Sequence, residues 1–294
     1  MYLITFFQTN ALAFNIVIFI FGLLIGSFIN VVIYRLPKMM ERSWRRECCA
    51  LLNIDDKGSS DENDRYGLVT PRSRCPACGH KISAWENIPV ISYLILRGKC
   101  FECKKTISLR YPLVELLSAG MSCAIAIHFG WSLQTLAGMS LTWALISLSF
   151  IDYDTQFLPD DITLPFLWLG IICNMFGLFT DIFSSLFGAI LGYLSLWSIY
   201  IIFKFITGKE GMGYGDFKLL SMLGAWLGWQ MLPLIIILSS FVGAAVGVGL
   251  ILFRGHKKSQ PIPFGPYLAM AGWIALIAGK DIVHAYFSWS LNLL

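Results

Sequence analysis

Residues 12–34 read LAFNIVIFIFGLLIGSFINVVIY, a run with no charged side chain. A helix needs about 20 apolar residues to cross the hydrocarbon core of a bilayer, so this run points to a membrane. Seven more apolar runs follow, at roughly 112–129, 134–151, 162–180, 183–206, 217–229, 231–253 and 264–289. The sixth is short, and only Trp229, Gln230 and Pro233 mark its junction with the seventh. Composition agrees. Of 294 residues 56% are hydrophobic and 14% charged, with a mean hydropathy of +0.68, whereas a soluble domain carries about a quarter charged residues. The runs are apolar on all sides rather than on one stripe, which speaks against a soluble bundle. The expected fold is an all-α polytopic membrane protein with about eight transmembrane helices.

The first run reads as a retained anchor. No basic residue precedes it, and no small-residue cleavage site separates it from Arg35. Of the 22 Lys and Arg residues, all but Lys280 fall within 35–110, 204–218 and 254–258. With eight spans these segments share one side, which the preference of cytoplasmic loops for basic residues makes cytoplasmic. The net charge of +4 then follows from topology and needs no nucleic-acid partner.

Residues 35–110 break the apolar pattern. They hold 15 of the 22 basic residues and six of the eight cysteines. The expected organisation is a first transmembrane segment at 1–34, a cytoplasmic zinc-binding insertion at 35–110, and a multi-helix membrane domain at 111–294. Inside the insertion stand C-P-A-C (Cys75, Cys78) and C-F-E-C (Cys100, Cys103), with 21 residues between the pairs. Two such knuckles can place four thiolates tetrahedrally around Zn²⁺, and a complete Cys₄ shell leaves no open position for catalysis. A structural zinc is therefore expected, with a redox pair or disulfides as the competing reading; a reducing cytoplasm disfavours disulfides. Asp55, Asp56, Asp61, Glu62 and Asp64 form an acidic run suited to a solubilising loop or to attracting a basic peptide. Cys48, Cys49, Cys123 and Cys173 fit no ligand spacing.

Two acidic groups lie at the expected cytoplasmic edge. GMGYGDFKLL at 211–220 leads through Gly211, Gly213 and Gly215 into Asp216, and IDYDTQFLPDD at 151–161 follows the third span. Asp160 and Asp161 suit a helix start, and Asp154 suits solvent. Asp152, directly behind an apolar run, is the expected partner of Asp216. Carboxylates at membrane depth are costly unless they function. Close together they share one proton, so one can activate water while the other protonates a carbonyl oxygen. The glycines would let a peptide lie against Asp216. The plain alternative makes Asp216 a helix N-cap. The rival chemistry is a proton-coupled transporter, which predicts carboxylates in mid-span. A non-catalytic scaffold is the remaining possibility.

At these residues the chain resembles the type IV prepilin peptidases. The resemblance rests on GSFINVVIYRLPKMMER at 26–42, the paired knuckles, WENIPVISYLILRGKC at 85–100 and RYPLVELL at 110–117. It continues through IDYDTQFLPD at 151–160, GKEGMGYGDFKLL at 208–220 and PIPFGPYLA at 261–269. It covers nearly the whole chain. It implies that Asp152 and Asp216, the latter in a G-x-G-D motif, are a catalytic pair of an intramembrane aspartic endopeptidase. It also implies a Gram-negative inner membrane, with prepilin and type II secretion pseudopilin substrates cut at the cytoplasmic face after a basic leader. The new amino terminus, usually Phe, would then be methylated from S-adenosyl-L-methionine. No glycine fingerprint for that cofactor is legible. Gly98 and Lys99, beside the second knuckle, are its only candidates, and a turn with a solvated lysine explains them at least as well.

Overall fold

The structure is a computed structural model and describes residues 7–54, 66–209, 211–254 and 263–291. The acidic run at 55–64 lies outside the described residues. Two compact units divide the chain, residues 1–124 and 125–294.

In the first unit, helix α1 (Ala11–Leu52) continues well beyond the apolar run and passes through Pro37. The Asn10 side chain caps its start, and Asn53 closes it in the left-handed conformation. A short helix α2 (Ile91–Ile95) follows the knuckle region, and α3 (Arg110–Phe129) returns to apolar sequence. Gly22 and Gly26 face α3 so closely that an added Cβ would stand 2.7 Å from the Cα of Ala119 and of Glu115, respectively. This G-x-x-x-G spacing lets backbones approach where lipid supplies no hydrophobic drive between helices. Arg35, the first cation after the apolar run, is buried. It donates to the carbonyls of Gly67 (2.9 Å) and Pro71 (2.7 Å), pinning that segment to α1.

The second unit contains α4 (Leu133–Thr155), α5 (Asp160–Met175), α6 (Ile182–Thr207), α7 (Tyr214–Leu227), α8 (Leu232–Arg254) and α9 (Gly265–Leu291). The expectation of about eight helices is thus met by α1 and α3 to α9. Six of these, α1, α3, α4, α6, α8 and α9, are long and apolar enough to cross a membrane. Helices α5 and α7 are shorter, with 16 and 14 residues. At 1.5 Å per residue α7 measures only about 21 Å, against about 30 Å of hydrocarbon.

Helix α7 can be short because protein rather than lipid surrounds it. Phe217, Leu219, Leu220, Met222, Leu223 and Trp226 are fully buried. Gly188 of α6 meets Gly224 of α7 backbone to backbone, and Gly192, four residues on, abuts Leu220 and Ser221. At the C-terminal end of α7, the Asn174 amide donates to the carbonyls of Ala225 (2.8 Å) and Trp226 (3.0 Å), and Ser185 donates to Ala225 (2.6 Å). Carbonyls freed at a helix end within a bilayer need such partners. The other end of α7 carries the acidic side chain.

Candidate functional site

Asp216 occupies the first turn of α7, where the positive end of the helix dipole favours an acidic group. The N-cap is Gly213, with no side-chain cap hydrogen bond, so Asp216 does not serve as the cap. Asp152 lies in the last turn of α4, which ends at Gln156 in the left-handed conformation. Both carboxylates are nearly sealed, with 5% of Asp152 and 7% of Asp216 exposed. Gly265 packs against Asp152 Oδ2 and Leu158, and Leu158 packs against Gly215 beside Asp216, so the two aspartates border one small region. The Gly265 N–H, at the start of α9, donates to Asp152 Oδ2 at 3.0 Å. Three helix ends therefore converge on the pair.

Leu158, itself buried, packs against two of these ends. A Cβ added to Gly215 would stand 2.8 Å from Leu158 Cβ, and one added to Gly265 would stand 2.7 Å from Asp152 Oδ2 and 3.3 Å from Leu158 Cδ2. Gly215 and Gly265 are thus required by close packing rather than by unusual backbone angles. Gly211 is packed likewise, against the Phe203 ring. Of the three expected approach glycines only Gly213 leaves room, on the side facing Asp216 Oδ2 at 3.7 Å. Asp160 begins α5, as its sequence position suggests, but its carboxylate also receives Lys218 Nζ at 2.8 and 2.7 Å. That ion pair ties the start of α5 to the helix bearing Asp216. Asp154 is exposed.

Sequence reading did not single out Leu158, Gly265, Lys218 or Asn174. For Gly265 a signal existed: Gly-Pro at the mouth of an apolar run marks a helix start.

The four knuckle cysteines form one cluster in the first unit, their sulfurs all within 4.8 Å of one another. Cys75 and Cys103 sulfurs are 3.8 Å apart, and those of Cys78 and Cys100 are 4.0 Å apart. Four sulfurs at about 2.3 Å from a tetrahedral ion stand about 3.8 Å from each other, so the set fits a metal of that size. The two knuckles repeat one design. Cys75 N–H donates to His80 O and Cys100 N–H to Lys105 O, and the residue after each second cysteine, Gly79 or Lys104, is left-handed. The N–H groups of Ala77 and Cys78 pull the Cys75 thiol down to about 6. At Cys78 the N–H of His80 favours the thiolate, but desolvation and the neighbouring sulfurs outweigh it and push the thiol up to about 12. Such crowding favours a cation that can displace the remaining protons.

Gly98 is buried in a left-handed turn, and the Tyr93 side chain lies over it, its hydroxyl 2.7 Å from where a Cβ would stand. Lys99 is exposed. Cys48, Cys49, Cys123 and Cys173 are free.

Comparison with known proteins follows the same division of the chain. Residues 20–129 match the family model described as Bacterial Peptidase A24 N-terminal domain, and residues 139–248 match that of the Type IV leader peptidase family. A "Prepilin leader peptidase/N-methyltransferase" of Pseudomonas aeruginosa is 54% identical over 288 residues, 98% of each chain. Proteins of the same description from Aeromonas hydrophila and Neisseria gonorrhoeae are 56% and 47% identical, each over 92% of both chains. No solved structure matches the chain.

Proposed function

The chain belongs to the type IV leader peptidase family, and we propose that Asp152 and Asp216 are the pair with which it cuts the basic leader from prepilins and pseudopilins. The observation that carries this reading is the convergence of two buried carboxylates from separate helices, with one oxygen held by the Gly265 N–H. A buried pair of this kind shares one proton. One aspartate takes a proton from water as its oxygen attacks the scissile carbonyl carbon, while the other protonates the carbonyl oxygen. As the tetrahedral intermediate collapses, the C–N bond breaks and the aspartate that took the water proton gives it to the leaving nitrogen. One hydroxyl of the intermediate returns its proton to the other aspartate as the carbonyl re-forms, which restores the one-proton pair.

The cutting edge lies, on this reading, at the cytoplasmic face of a bacterial inner membrane. Placement supports it: Asp152 is in the last turn of α4 and Asp216 in the first turn of α7, next to segments rich in Lys and Arg. A transporter would need carboxylates in mid-span, and the names of the relatives speak for peptidase chemistry.

Zinc is the metal we assign to Cys75, Cys78, Cys100 and Cys103, in a structural role, because four thiolates leave no open position. N-methylation of the new amino terminus is proposed on the relatives' names, with S-adenosyl-L-methionine as the methyl donor. Gly98 and Lys99, beside the second knuckle, are the candidate residues for that activity, with a tight turn and a solvated lysine as the plain alternative.

The test is cleavage of a purified prepilin by the protein in detergent or vesicles. Asp152→Asn and Asp216→Asn should each reduce the rate by about 10³-fold or more while leaving thermal unfolding nearly unchanged. Normal cleavage by either variant overturns the assignment of the pair.

A further inference from the structure

Helix α2 and its flanks leave a row of large apolar side chains uncovered in a segment of otherwise polar character. Ile91, Leu94 and Ile95 are 53%, 67% and 67% exposed, and their i, i+3, i+4 spacing puts them on one face. Trp85 and Ile88 are also exposed, and Trp85 meets exposed Phe101 edge-on at 5.4 Å.

The depth of this segment is fixed by a hydrogen bond. The Val90 N–H, immediately before α2, donates to Glu115 Oε2 at 2.8 Å. Glu115 is buried five residues into α3, about 7.5 Å below its first residue at 1.5 Å per residue. Its side chain leans back toward the start of α3, as side chains on a helix do. Gly26, inside the apolar run of α1, lies against the Glu115 backbone, and the Asn30 amide donates to Tyr111 O at 3.1 Å. The Val90 turn therefore sits level with apolar parts of two helices that cross the membrane, not above them. Val90 adopts φ +60° there, a costly angle for a β-branched residue that the Glu115 contact helps to hold.

Charge completes the pattern. Residues 67–110 carry eight Lys and Arg against Glu86 and Glu102 alone, and Arg97, Lys99, Lys104 and Lys105, which follow α2, are all exposed. Apolar residues at the depth of the acyl boundary beside a basic, water-facing rim are what an anionic lipid surface binds, and tryptophan favours that interface.

We propose that residues 85–95 form an interfacial anchor that seats the knuckle region on the bilayer, with Ile91, Leu94 and Ile95 among the acyl chains and the nearby cations on anionic headgroups. The proposal rests on α1 and α3 crossing the membrane and is independent of the peptidase assignment.

The test uses the full-length, metal-loaded protein in phosphatidylethanolamine vesicles with and without phosphatidylglycerol, in the absence of substrate. A fluorescent amino acid is introduced by stop-codon suppression at Leu94 and, separately, at exposed Lys81. The Leu94 probe should be quenched several-fold more by nitroxide-labelled lipid than by aqueous iodide, the Lys81 probe should show the reverse order, and phosphatidylglycerol should strengthen lipid quenching at Leu94. Iodide quenching at Leu94 equal to that at Lys81 overturns the anchor. Protection from both quenchers also overturns it, because the patch is then covered by protein. Lipid quenching that ignores phosphatidylglycerol removes the headgroup contact. Because no substrate is present, failure of the anchor leaves prepilin cleavage, and the aspartate pair, untouched.

Discussion

The knuckle region and helix α7 solve opposite problems. The knuckles have little to bury: Cys100 is the only one of the four cysteines that is buried, and the residues around them are mostly exposed. Helix α7 buries ten of its fourteen residues and places a carboxylate at its end. On the metal assignment proposed above, the first is held by a cation, and the second is held by the closeness of its neighbours. A small polar module gains stability from a metal that its unfolded chain cannot hold, whereas a helix enclosed by other helices depends on glycines and satisfied carbonyls.

Each half of the contrast can be broken separately. Metal removal should have the largest effect. Structural zinc in small domains contributes on the order of 10 kcal/mol, so a strong chelator, or Cys100→Ser, should open residues 75–105 to proteolysis while α6 and α7 stay protected. Limited proteolysis with mass mapping checks this. Because loading displaces thiol protons, most of all at Cys78, the metal should bind more weakly as the pH falls, and fastest once the Cys75 thiol also protonates below about 6. Next comes Gly188→Leu, which drives a side chain into the Gly224 backbone. Overpacking costs about 1–3 kcal/mol where neighbours can shift, and backbone cannot, so thermal melting should show at least that loss without release of metal.

Asn174→Leu removes the two amide bonds at the end of α7 and leaves the N–H groups of Phe179 and Thr180 without the Asn174 oxygen that accepts both at 3.1 Å. Unsatisfied buried groups cost about 1–3 kcal/mol, to be read as a lower melting temperature. The smallest change runs the other way. Lys104 holds the left-handed angle that Gly79 holds in the other knuckle, so Lys104→Gly should stabilise the metal-bound region by about 1 kcal/mol, measured as slower metal transfer to a chelator.

The helices were legible because lipid imposes a length and a composition. The run expected at 134–151 became α4 at Leu133–Thr155, and that expected at 183–206 became α6 at Ile182–Thr207. The extension of α1 to Leu52 was not legible, because beyond Arg35 its charged residues carry no apolar pattern and Pro37 argues for a break. Asp152 and Asp216 could be named because charge at a membrane edge is conspicuous. Gly215 stood in the sequence as an approach glycine and Gly265 as a helix start, but the packing of both against Leu158 brings distant segments together, which no local spacing reveals. The two G-x-x-x-G pairs, Gly22–Gly26 and Gly188–Gly192, stood in plain view as a pattern, but their partners, Ala119, Glu115, Gly224 and Leu220, emerge only from the packing.

If Asp152 and Asp216 do the cutting, the packing around Leu158 gives the resting protein a form of latency. A hydrolase that lives among transmembrane helices is bathed in amide bonds, including its own, and a standing gap beside the acids would admit water and stray backbone alike. Leu158 packs against both Gly215 and Gly265, and the two carboxylates are nearly sealed. On the proposed assignment, an incoming peptide therefore has to loosen this packing, and selectivity begins with the work of entry before any of its side chains is read.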